Sequence, residues 1–219
     1  MIDAMPFTAT QFFDVFAAFN AAMWPAQPLA DVLALVVLTA VAHGNVLGSR
    51  LALAALAVAW LGMGAIYHFR YFAEINPLAR TFGIAFIAQA VLLSLNALAR
   101  NPPRLAYRRD FATVAAVVLI IYAVAVYPWL GWAAGHGGMR GPMFGVAPCP
   151  TTIFTFALLI LVRPIRWPFL VIPTLWAVVG TTAAMGLGVP EDFGLPVAAA
   201  AAWVAWYLPH RELVRATRR

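Results

Sequence analysis

Long apolar runs separated by short polar joints set the pattern of this chain. A hydrocarbon layer about 30 Å thick takes roughly 20 helical residues to cross. Seven runs approach that length, at about 28–47, 51–69, 78–99, 111–132, 147–162, 168–188 and 193–209. They are strings of Ala, Leu, Val and Ile without sustained period-2 alternation, which predicts helices rather than the strands of a membrane barrel. Joints such as 43–50 leave no room for a soluble domain. The expected fold is therefore all-α, a bundle of about seven transmembrane helices forming one domain over residues 1–219. Ahead of the first run, residues 5–25 read MPFTATQFFDVFAAFNAAMWP. Thr8 or Thr10 can cap a helix there, with Phe12, Phe13, Phe16 and Phe19 following near helical spacing. Gln11 and Asp14 leave this segment too polar to span. Residues 1–25 thus predict a short interfacial amphipathic helix anchored by Trp24; a lid packed on the bundle is the other reading.

Composition turns the pattern into a class. Hydrophobic residues make up 64% of the chain and charged residues 10%, with mean hydropathy +0.86. No soluble core can hide that much apolar side chain, so the solvent of this protein is expected to be largely lipid. All fourteen basic residues are Arg. Without Lys there is no retinal or pyridoxal Schiff base and no phosphate-loop lysine; any other cofactor stays unknown. The single Cys removes internal disulfides and paired-Cys motifs. Asp3 and Asp14 stand where the basic start of a secretory signal would be.

The formal charge of +6 does not point to nucleic acid, because the arginines sit at the ends of apolar runs. Arg50, then Arg100, Arg104, Arg108 and Arg109, then Arg163 and Arg166, then Arg211, Arg215, Arg218 and Arg219 follow the odd-numbered spans. Only Arg70, Arg80 and Arg140 fall on the other side. This bias predicts an outside N-terminus, a cytoplasmic C-terminus and residence in a bacterial inner membrane. Lipid is the first expected partner, with oligomeric or membrane-protein partners compatible with the apolar exterior.

On this topology the chemistry-bearing residues collect at the outer face. YHFRYFAEINP supplies His68, Arg70, Glu74 and Asn76; the glycine-rich stretch supplies His136; APCPTT supplies Cys149, Thr151 and Thr152; PEDFG supplies Glu191 and Asp192. Asp31 joins them at the start of the first span. Apart from Asp31 these are the candidate ligand-binding residues, and His68, His136 and Cys149 are candidate metal ligands, although no pair has diagnostic spacing. His43 and His210 read as interfacial residues beside the arginines. Within the spans, Gln89 is expected to tie helices together, Gly62 and Gly64 to allow close packing, and Thr181 and Thr182 to bond their own helix.

The fifth run is short. From Pro150 to Val162 it covers about 20 Å, and it is preceded by GHGGMRGPMFGVAPCP. Either the helix extends upward through Pro148 and Pro150, or Gly135–Pro150 enters the bundle as irregular backbone and the helix starts at Thr151. In the second case a water-accessible Cys149 at the helix start is expected to react with thiol reagents; in the alternative it is a small core residue.

The strings MPFTATQFFDVFAAFN, YHFRYFAEINP, FGVAPCPTTIFTF and PEDFGL resemble a bacterial family of multi-pass membrane proteins, domain of unknown function sixty sixty-four. The resemblance covers nearly the whole chain. It implies no activity and no catalytic residues, and no nucleophile–base pair stands in one motif. The expected function is binding, with transport as an extension, of a small solute or ion in an outward-facing pocket at the outer ends of spans two, five and seven. A metal- or redox-linked component using Cys149, His68 and His136, and a non-catalytic accessory subunit of a membrane complex, are the alternatives.

Overall fold

A computed structural model describes residues 6–216, with side chains as far as Leu208. Asp3, Arg218 and Arg219, and the side chains of His210, Arg211 and Arg215, lie outside the described set. The described backbone is helical, with one isolated antiparallel bridge between Leu105 and Val162. The helices are α1 (Ala9–Met23), α2 (Ala26–Ala42), α3 (Val46–Gly62), α4 (Ala79–Leu98), α5 (Phe111–Ile121), α6 (Tyr127–Ala133), α7 (Pro148–Ile160), α8 (Pro168–Leu187) and α9 (Gly194–Ala216). Two π-helical segments continue them: Met63–Tyr71 prolongs α3, and Tyr122–Val126 joins α5 to α6.

Four helical runs are long and apolar enough to cross a membrane: Val46–Glu74, Ala79–Leu98, Phe111–Ala133 and Pro168–Leu187. A fifth arises if α1 and α2 count as one span, but they meet at 76°. The bend turns α1 well away from the direction of α2. Thr8 caps α1 in a reciprocal capping box with Gln11, and Phe12, Val15, Phe16 and Phe19 are buried against the bundle. The helix therefore lies across one end of the bundle as a lid, with Asp14 and Ala18 on its exposed side.

The fifth run forms the centre. α7 packs against α3, α5, α8 and α9, and all thirteen of its residues are buried. This enclosure explains how so short an apolar helix is accommodated, because protein rather than lipid meets both of its ends. At its lower end the backbone continues into bonds with another loop, Ala106 N–H to the Leu161 carbonyl and Arg163 N–H to the Arg104 carbonyl, both 3.1 Å. At its upper end the helix starts at Pro148 rather than Thr151. Pro148 and Pro150 occupy the first turn, where the missing N–H groups would have found no intrahelical partner, so prolines are tolerated there.

Interhelical ties follow the sequence in part. Gln89 Nε2 donates to the Phe169 carbonyl at 3.2 Å and joins α4 to α8. Thr181 bonds the Ala177 carbonyl of its own helix at 2.7 Å, and Thr182 that of Val179 at 2.7 Å. At Gly64 a Cβ would stand 2.9 Å from the Gly83 carbonyl oxygen, so the close approach to α4 requires glycine. Gly62 does not repeat this: the space around it is open.

The two ends of the bundle differ in chemistry. At one, Arg163 contacts both carboxylate oxygens of Asp110 at 3.1 and 3.0 Å, Arg166 donates to Asn96 at 3.1 Å, and Arg50 donates to the Ala99 carbonyl at 2.9 Å. Asp110 also caps α5 through the Thr113 N–H at 2.8 Å, and this bond, with Arg163 and Arg108 nearby, holds its carboxyl below the usual range. The other end carries the lid and the buried acids described next.

Candidate functional site

The site is built where α8 turns into α9. Gly188 ends α8 in the left-handed region (φ +71°), and the N–H groups of Gly188 and Val189 both reach the Ala184 carbonyl, at 3.0 and 3.2 Å. The chain then makes one 3-10 turn, Pro190–Phe193, and enters α9 directly. A polar turn at a helix junction ordinarily faces water. Here the turn points inward, and Glu191 and Asp192 are 0% and 1% exposed.

Each carboxylate has its own partners. Glu191 Oε1 pairs with His136 Nε2 at 2.7 Å, while its Oε2 is buried with no hydrogen-bond partner among the described residues. The pocket for this pair exists because residue 131 is glycine, where a Cβ would stand 2.9 Å from Glu191 Oε1. Tyr122 adds a bond from its hydroxyl to the Glu191 carbonyl at 2.7 Å. Asp192 Oδ1 accepts from the Tyr127 hydroxyl at 2.5 Å, and the Cys149 thiol also bonds the Asp192 carboxyl. Burial, and the neighbouring charge of Glu191, push the Asp192 carboxyl up to about 7, although the bonds from Tyr127 and Cys149 favour its ionised form.

Asp192 and Cys149 reach a cavity of about 470 Å³. Its walls are rich in aromatic rings: Phe7 just ahead of the lid, Phe12 and Phe16 from it, Tyr67 and Phe72 from the end of the α3 run, Phe82 from α4 and Trp176 from α8. Directly behind this wall stands His68. Its imidazole is fully buried, neither ring nitrogen has a hydrogen-bond partner among the described residues, and it touches the rings of Tyr67, Phe72, Phe82 and Trp176, all of which line the cavity. A second space, about 380 Å³, lies between α2, α3 and α7 under the α1–α2 elbow and is almost wholly apolar.

The lid is fastened over the acids. Phe13 stacks on His136 with ring centroids 4.4 Å apart, Asn20 Nδ2 donates to the Met139 and Gly141 carbonyls at 2.9 Å each, and Arg140 pairs with Asp14 at 2.8 Å. A water-accessible Cys149 was one of the two expectations for the start of the fifth run. Gly135 and Gly138 are exposed and α1 packs beside Gly138–Arg140, yet Cys149 itself is only 6% exposed.

The candidate residues thus fall into groups. Glu191, Asp192, His136 and Cys149 form one connected cluster. Asn76 lines the cavity and also caps the following turn, its Oδ1 accepting from Leu78 N–H at 3.0 Å. His68 lies behind the wall. Thr151 lines the second space and accepts from Gly145 N–H at 2.9 Å, while Thr152 is buried with its hydroxyl unpartnered. Arg70, Glu74 and Asp31 are exposed. Among the described residues no three His, Cys, Asp or Glu side chains converge closely enough to hold a metal ion, so His68, His136 and Cys149 do not form a shared metal centre there.

Tyr127, Tyr122 and Trp176 were not among the residues expected from the sequence. Tyr127, towards the end of its apolar run, looks like an interfacial anchor, Tyr122 lies in the middle of the same run, and nothing local distinguishes a tyrosine that turns inward. The π-helical segments that carry Tyr67, His68 and Tyr122 were likewise not foreseen, although such segments recur at functional sites.

Fold and site together define an all-helical protein with several helices apolar enough to cross a membrane, and with an aromatic cavity that closes on a buried carboxylate. The chain belongs to the Family of unknown function (DUF6064), whose model matches residues 9–217. Neither a comparison with curated proteins nor one with solved structures returns a match.

Proposed function

We propose that this protein is a small bacterial inner-membrane protein of seven spans, with its N-terminus outside, that binds a small solute in the aromatic cavity at its outer end. The observation that carries this reading is the cavity of about 470 Å³, largely apolar with one buried carboxylate at its edge. Ligand sites are typically concave spaces of about 300–1,000 Å³, apolar with a few placed polar groups. The arginine-rich loops gather at the opposite end of the bundle, which under the positive-inside rule supports a cytoplasmic assignment for that end and an outward one for the cavity. Transport remains an extension of the same reading; its first requirement is binding.

The test uses the full chain in lipid nanodiscs and a neutral aromatic probe, 4-fluorobenzyl alcohol, followed by ¹⁹F line broadening. Saturable broadening above that of empty discs, lost when Ala183→Trp fills the cavity, is the expected result. Broadening that never saturates, or that survives the filling substitution, overturns the reading.

A further inference from the structure

Resting on that reading, the geometry points to a ligand class: an organic cation with an apolar body, held by the aromatic walls and paired with the Asp192 carboxylate. Three observations converge on it. The first is the sign of the available charge. Among the described residues lining the cavity Asp192 is the one carboxylate, and no Arg or His stands among them to hold an anion. Fourteen arginines occur in the chain, so their exclusion from this wall contrasts with the rest of the molecule.

The second observation is the preparation of the carboxylate. Tyr127 O–H and the Cys149 thiol both bond to it, and Tyr127 is itself fully buried. Two donors aimed at one buried carboxyl are suited to a group that ionises when a counter-charge arrives. The third is the wall itself. Phe7, Phe12, Phe16, Tyr67, Phe72, Phe82 and Trp176 surround the space, and aromatic faces attract a desolvated cation through their quadrupoles, Trp most strongly. An apolar molecule alone would need the rings but not the acid; a hydrated metal ion would need more oxygen ligands than the wall offers.

Binding of the cation then displaces the proton of Asp192 to solvent, so that the site exchanges one positive charge for another. The groups that face Asp192 are Tyr122 and Tyr127 around the second π segment, Cys149 from α7 and Tyr67 from the first π segment. Glu191 is its chain neighbour and is paired with His136. The α1 roof and α8 contribute no ionisable group to the cavity lining.

The experiment compares three probes of similar size on the full chain in nanodiscs, again by ¹⁹F broadening: 4-fluorobenzyltrimethylammonium, 4-fluorobenzyl alcohol and 4-fluorophenylmethanesulfonate. The cation is expected to bind at least tenfold more tightly than the alcohol at pH 8, and the sulfonate not at all. Its affinity should fall at least tenfold between pH 8 and pH 5 in the unaltered protein. That pH dependence should persist in His136→Gln and vanish in Asp192→Asn. If the alcohol binds saturably and the cation no better, the cationic class is wrong while the pocket stands. If no probe binds saturably, the pocket reading falls and the inference with it. A pH dependence that disappears in His136→Gln overturns the assignment to Asp192 without requiring the Asp192 variant to fold.

Discussion

At the scale of single residues, exposure separates groups that the sequence presented as equals. Arg70 and Glu74 face solvent, and replacing either by Ala should change stability by under about 0.5 kcal/mol. Glu191→Ala removes the partner of buried His136 and should cost about 1–3 kcal/mol, the usual range for a buried polar group left unpaired. Chemical denaturation in mild detergent would compare the three; equal effects would place all of them in solvent. Asp192 allows a test of sign. Its carboxyl is raised in the folded protein, so folding favours the protonated form. The associated stability is fully present below the unfolded value of about 3.9 and is lost as pH rises to about 7. Asp192→Asn, which cannot ionise, should therefore gain thermal stability relative to the unaltered chain as pH is raised from 4 to 8, by several degrees. A constant difference across that range would mean that Asp192 is ionised throughout.

At the scale of elements, the lid is the part whose role the apolar pattern left undecided. Its aromatic spacing required an apolar surface, but lipid and protein satisfy that requirement equally. Long-range bonds show that protein meets it: Asn20 to the Met139 and Gly141 carbonyls, and Phe13 on His136, connect residues over a hundred positions apart. Thr8→Ala breaks the capping box and should weaken α1 by about 1 kcal/mol. Hydrogen exchange should then quicken across α1 while α3 and α4 keep their protection; uniform acceleration would mean that the lid is part of the global unfolding unit. Asp110 makes the matching case at the arginine end. Its depressed carboxyl contributes stability above about pH 4, which is lost as pH falls through its folded value, and Asp110→Ala should flatten acid sensitivity in that range.

At the scale of the whole molecule, the distribution of arginine makes the strongest prediction. In a chain with Cys149→Ala, an impermeant thiol reagent applied from outside should label Arg140→Cys and leave Arg104→Cys untouched. Both positions are exposed, so a difference in labelling reports the side of the membrane rather than burial. Labelling of position 104 from outside would invert the bundle and put the cavity on the cytoplasmic face.

The apolar runs, the cap at Thr8 and the glue of Gln89 were legible in the linear chain. Each depends on local composition or on helical periodicity, and a residue carries that information wherever the helix ends up. The inward turn of Asp192, the tyrosine that meets it, the enclosure of α7 and the packing of α1 beside the glycine-rich segment were not. In a chain this apolar, lipid and protein are nearly equivalent surroundings for a Leu or a Phe, so periodicity barely records which face meets which neighbour. Those contacts join Phe13 to His136 and Tyr127 to Asp192 across long stretches of sequence, and only the packing of the helices decides them.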